Sequence, residues 1–353
     1  MNMPDPGNSK NPHHSFRVGS RAWDARCLRT LAPGMSLRST VGRILSTTLP
    51  ERIRRLCWPV WNAEQRRPRA PLRALLPTAL TFLLLAVLQT TIRARFVHPI
   101  RELLELTGIA VVLVGAVLLS TRIIDRRPMS GFGLSFDRDW WRSFVVGGLV
   151  ATAVNGGALV VALGAGWATF AGVLRGSGDL PFVPAMGVVF GYIAFAAAWE
   201  EFVLRGAMVK NLAEGSNGYA PEWVAVGLAV ALSTLVFAFL HGGKVTHLSQ
   251  YGYYLIAGLV LSGVYVLTGE LALGIGFHVF YNFTQSAVFG LGHSQQTPEL
   301  FAVDIVGPSR WVGEEGLVFV GFAVLGGLLL VAYIRRRDGT IELDDRLTAY
   351  TGR

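Results

Sequence analysis

Eight runs of apolar residues divide this chain, near 74–92, 103–124, 143–168, 183–209, 223–241, 252–268, 271–290 and 316–334. A helix that crosses a bilayer needs about 17–25 mostly apolar residues, and in lipid every backbone polar group must find its partner inside the segment. The runs therefore predict an all-α, polytopic membrane protein of about eight transmembrane helices. Composition agrees: 52% of residues are hydrophobic and 16% charged, against about 25% charged in soluble domains. Only Gly269 and Glu270 separate the sixth and seventh runs, which predicts a tight helical hairpin. The third run is rich in Gly and Ala, which suits close helix packing.

The formal charge of +9 is concentrated at one end, where residues 1–73 hold 14 Lys and Arg against 4 Asp and Glu. No aromatic-rich module accompanies that charge, so nucleic acid is not an expected partner. A basic arm over 1–70, flexible and cytosolic, beside anionic lipid is the expectation. An Arg-rich organelle transit peptide and a start at Met35 are its alternatives. Residues 42–61 suit an interfacial amphipathic segment with Trp58 and Trp61 at headgroup level. The two cysteines, Cys27 and Cys57, both fall in this region and suggest neither a disulfide framework nor a metal site.

Lys and Arg in loops set orientation. The loop after the second run carries Arg122, Arg126, Arg127, Arg138 and Arg142, and the last run ends in Arg335, Arg336 and Arg337. The loop 169–182 has only Arg175, and 291–315 only Arg310. Both termini are expected in the cytoplasm, although Arg93, Arg95 and Arg101 then fall outside. The domain reading is an arm over 1–70, a transmembrane region over 71–336 and a short tail over 337–353. No internal repeat is visible.

Three polar clusters interrupt the spans: Glu200, Glu201 and Arg205; Phe237 and His241; His278 and Asn282. One charge at the centre of a membrane helix costs about 2.5–3.5 kcal/mol on insertion scales, so a function is the default reading. Residues four apart share a helix face. Glu201 can thus pair with Arg205, while Glu200, turned about 100° away, is free for chemistry. His278 and Asn282 project together, and Phe237 can wall the site that His241 reaches. Two enzymes fit. In one, Glu200 and His241 activate a water while His278 and Asn282 donate to the oxyanion of a scissile amide. In the other, Glu200, His241 and His278 hold Zn²⁺, although no compact ligand motif is present.

The three motifs in order, Glu200-Glu201-Phe202-Val203-Leu204-Arg205, Phe237-Ala238-Phe239-Leu240-His241 and His278-Val279-Phe280-Tyr281-Asn282, resemble those of the CAAX-protease and bacteriocin-processing family of intramembrane glutamic endopeptidases. The resemblance covers residues 130–290. It implies an eight-helix fold around a conical, water-accessible cavity, and proteolysis with no metal or other cofactor. Carried over, Glu200 and His241 activate the water, His278 and Asn282 form the oxyanion hole, and Glu201, Arg205 and Phe237 support the site. The partners it implies are the bilayer and a peptide or lipidated protein: a prenylated CAAX protein, a leader peptide or another membrane protein. The rival reading is non-catalytic, a proton-relaying transporter or a scaffold of the same fold.

Depth poses a difficulty, because Glu200 lies well inside its run and His241 at the far end of the next. The two levels match if the fourth helix continues to about Leu212 and the fifth starts later and runs past His241. Glu200 is then expected nearer the cytoplasmic half. Trp199 is expected at the membrane interface, Glu270 in the hairpin turn, Asp125 with Arg126 and Arg127 in a helix-end cluster, and His247 and His293 in solvated loops.

Overall fold

Seven of the eight runs become helices long and apolar enough to cross a membrane in the computed structural model, which describes residues 60–245, 248–292, 297–313 and 315–349. The arm up to residue 59, with Cys27, Cys57 and Trp58, lies outside the described residues, as do His247 and His293. A short hairpin of β1 (Trp61–Asn62) and β2 (Arg67–Pro68) precedes the first helix, so Trp61 sits in a strand. The long helices are α1 (Ala70–Arg95), α2 (Ile100–Ile124), α3 (Arg138–Gly164), α4 (Phe182–Ser216), α5 (Glu222–Leu240), α6 (Tyr251–Thr268) and α8 (Leu317–Asp338). The protein is thus an all-α membrane protein.

The exception is the run 271–290. Its helix, α7, is regular over Ala272–Phe283 and continues as a wide turn over Thr284–Val288. Every residue from Ala272 to Val279 is buried. The run is apolar because protein, rather than lipid, surrounds it.

Glycines make that burial possible. A Cβ at Gly276 of α7 would lie 2.0 Å from the Phe144 carbonyl oxygen of α3, and one at Gly147 of α3 only 2.3 Å from the Leu273 carbonyl oxygen of α7. The two backbones touch directly, as small residues allow between membrane helices. α3 itself starts at an Asp137 cap, whose carboxylate accepts the Trp140 amide at 2.8 Å.

Two segments expected as loops form a sheet. β3 (Ala168–Arg175) pairs antiparallel with β4 (Glu299–Ile305), with an irregularity between Phe170 and Gly172. Pairing satisfies backbone donors and acceptors in connections too long to be simple turns. On the opposite face, Gly269 takes the left-handed conformation that closes α6 (φ 61°), and the Leu271 amide donates to the Gly133 carbonyl at 3.0 Å. This is the tight hairpin, with Glu270 in its turn.

α4 reaches Ser216, beyond the expected Leu212, through a π-helical stretch over Phe202–Val209 whose residues are all buried. α5 neither starts late nor passes His241. It ends at Leu240, with His241 as its cap and Gly242 and Gly243 following. The extension of α4 alone levels Glu200 with His241. Trp199 is buried rather than interfacial, its indole N–H donating to Thr81 of α1 at 2.8 Å.

Asp125, at the end of α2 and 3.4 Å from Arg127, is buried too. It faces Arg67 at 3.4 Å and Arg73 at 3.3 Å and accepts from Asn211 at 2.8 Å, while Glu214 pairs with Arg67, Arg73 and Arg127. Burial pushes the Asp125 carboxyl above its ordinary value, against the pull of Arg127 and Arg73. The tail after α8 packs back on this face. Lys210 donates to the carbonyls of Arg346 and Ala349, the Asp344 amide to Val266, and Leu347 is buried.

The helix contact gives a direct prediction. Gly276→Val must push α3 and α7 apart and is expected to cost more than the roughly 1–3 kcal/mol typical of overpacking, seen as a lower unfolding temperature in detergent. Gly115→Ala, where a Cβ meets nothing within 4 Å, is expected to leave that temperature unchanged.

Candidate active site

The site is built from the middle of α4, the end of α5, the first half of α6 and the centre of α7. Glu201 is its anchor. One of its carboxylate oxygens takes the Arg205 guanidinium at 3.0 Å, one turn on, and the same oxygen takes Nδ1 of His278 at 2.8 Å. Glu201 and Arg205 are both buried, at 1% and 0% exposure. Arg205 also reaches the Gly258 carbonyl and Ser262 hydroxyl of α6, each at 3.4 Å, and lies 4.7 Å over the Phe237 ring of α5. One guanidinium therefore ties three helices, and through Glu201 it reaches the fourth.

Glu200 faces the other way, and its Oε2 atom is the point of convergence. His241 Nε2 lies 4.0 Å from it and His278 Nε2 3.9 Å. Oε2 is buried and makes no hydrogen bond among the described residues. The imidazoles are held by their other nitrogens. His241 Nδ1 lies 2.8 Å from the Phe237 carbonyl, an acceptor that requires Nδ1 to carry the proton. A neutral His241 thus presents a bare Nε2 towards Glu200. His278 Nδ1 donates to the Glu201 carboxylate.

Aromatic rings fix the rest. Phe237 packs on His241 with centroids 4.4 Å apart, and Tyr254 of α6 stacks on it at 4.6 Å and 26°. Beside these residues opens a cavity with about 50 Å³ for water, room for a few molecules. It is lined by His278, Asn282, Tyr253, Tyr254 and Phe277 and runs out to Lys244.

The structure brings together Glu200, Glu201, Arg205, Phe237, His241, His278 and Asn282. The i,i+4 pairs of the sequence hold. Two contacts were not foreseen: the Glu201–His278 bond and the Tyr254 stack. Both join residues more than ten positions apart, and helical spacing carries no signal for either. No set of three His, Cys, Asp or Glu that could hold a metal ion occurs among the described residues.

Two carboxylates, two imidazoles and a carboxamide enclosed by apolar helices define a polytopic membrane protein with a buried polar site. Residues 181–284 match the model of the Rce1-like family, type II CAAX prenyl endopeptidases. That is the family the three motifs resemble, and the matched segment runs through all of them. No curated protein and no solved structure matches the chain.

Removing one partner of a buried ion pair leaves the other charge uncompensated, at about 3–5 kcal/mol. Arg205→Ala is expected to lower stability by that order in detergent unfolding. Arg205→Lys, which keeps the charge without the fork, is expected to fall between.

Proposed function

We propose that the protein is an intramembrane glutamic endopeptidase that hydrolyses a peptide bond in a membrane-delivered or lipidated substrate, of which a prenylated CAAX peptide is the first to test. The observation that carries this reading is the buried Glu200 Oε2 set about 4 Å from two Nε2 atoms. A water that donates one hydrogen to each of two acceptors spans such a separation. Between Glu200 and His241 it is aligned by two bases, and Glu200 takes its proton as the oxygen attacks the scissile carbonyl. The carbonyl oxygen becomes an oxyanion. Asn282 offers it a carboxamide N–H, and His278 offers Nε2–H in its imidazolium form, which Glu201 steadies at Nδ1. Collapse of the tetrahedral intermediate passes the proton from Glu200 to the departing amine. No step calls on a metal.

General base catalysis is worth about 10²–10⁴-fold. Glu200→Gln, and separately His241→Ala, are expected to lower cleavage of a fluorogenic prenylated CAAX peptide in detergent by that order. Activity is expected to persist with a strong chelator. Loss on chelation contradicts the metal-free reading, and undiminished cleavage by Glu200→Gln contradicts the proposal.

A further inference from the structure

The cavity beside the candidate site is lined towards one end of the helices, out to Lys244, and charge tells which side of the membrane that end faces. The helices alternate in direction, and two sets of contacts mark the ends. On one side lie β1–β2, the α2–α3 connection, the end of α4, the α6–α7 turn and the tail, joined by Arg67 and Arg73 to Asp125 and Glu214, by Leu271 to Gly133 and by Lys210 to Ala349. On the other lie the α1–α2 connection, the β3–β4 sheet and residues 241–245 after α5. A Cβ at Gly178 there would meet His98, and Arg93, Arg101, Lys244 and Thr297 line a common cavity.

Between residues 60 and 349 the chain has 21 Lys and Arg. Six belong to the second face: Arg93, Arg95, Arg101, Arg175, Lys244 and Arg310. Arg205 is buried midway, and the other 14 belong to the first face. The positive-inside rule counts Lys and Arg near the span ends, so the first face, with both ends of the described chain, is cytoplasmic.

The active-site cavity belongs to the second half. Glu200 is mid-helix in α4, but His241 caps the far end of α5. Tyr253 and Tyr254 sit in the first turn of α6, Asn282 and Gln285 at the far end of α7, and the lining runs to exposed Lys244. On the first face the way is closed by the Glu201–Arg205 pair, by the wholly buried π stretch of α4 and by the docked tail.

We propose that the catalytic cavity opens to the non-cytoplasmic side of the membrane, so that its substrates are peptide segments presented there: exported peptides, or the outer juxtamembrane segments of membrane proteins. This rests on the cavity being the catalytic site, as read above. Glu200 itself, mid-helix in α4, is compatible with the expected position nearer the cytoplasmic half; the proposal concerns the side from which it is reached. A lipidated peptide reaches the site only if its cleavable segment lies in the outer leaflet.

Cysteine labelling tests this without turnover. Cys27 and Cys57 are replaced by Ser, and Lys244→Cys at the mouth and Tyr219→Cys, exposed in the α4–α5 turn, are introduced singly. Each variant is treated with a membrane-impermeant maleimide in intact cells whose plasma membrane alone bars the reagent, with permeabilised cells giving the full signal. The expected result is full labelling of Lys244→Cys in intact cells and at least a tenfold loss for Tyr219→Cys. The reverse pattern overturns the proposal. The reading holds whether or not the chain cleaves peptides, so failure of the orientation and failure of the catalytic assignment are separately visible.

Discussion

Three helices meet at one buried guanidinium, and its partner Glu201 brings in a fourth. Arg205 is fully enclosed, and a charge in that position is tolerable only if its donors are used. They are used on Glu201 within α4, on Gly258 and Ser262 of α6 and on the face of Phe237 of α5. The Glu201 oxygen that takes Arg205 also accepts from His278 of α7. Every helix that supplies a chemical group to the site is thereby fixed relative to this centre. The arrangement leaves Glu200, the adjacent carboxylate, outside the pair and turned towards both imidazoles.

α7 shows what this arrangement asks of the fold. It carries His278 and Asn282, yet it is too short and too enclosed to behave as a lipid-facing span. Its backbone lies against α3 at Gly147 and Gly276, and a Cβ at Gly274 would come within 3.5 Å of the Glu201 carboxylate. A residue with a side chain at Gly147 or Gly276 would move the helix outward and carry His278 away from Glu200. The glycines of a span that reads as ordinary membrane sequence are in this way part of the placement of the site.

Much of this was legible in the residues. The apolar runs gave the helices, and the four-residue spacings gave Glu201 with Arg205 and His278 with Asn282, because helical geometry is local. The order of the three motifs pointed to the family that residues 181–284 match. What escaped was non-local. Whether the run 271–290 faces lipid or protein depends on what α3 presents to it, and hydropathy cannot distinguish the two. The pairing of β3 with β4 joins segments about 130 residues apart. Trp199, read as an interface aromatic, is drawn inward by Thr81, and Asp125 is enclosed by Arg67 of β2 and Arg73 of α1. The role of Glu201 as the residue that orients His278 required a contact across 77 positions.

The central claim is that two neighbouring carboxylates have separate work: Glu201 holds the site together and Glu200 acts on water. The direct test is to measure unfolding temperature and turnover side by side for Glu200→Gln and Glu201→Gln in the same detergent. Glu200→Gln is expected to keep the wild-type unfolding temperature and lose turnover, and Glu201→Gln to unfold at a lower temperature. A Glu200→Gln protein that still turns over, or a Glu201→Gln protein as stable as wild type, would contradict it.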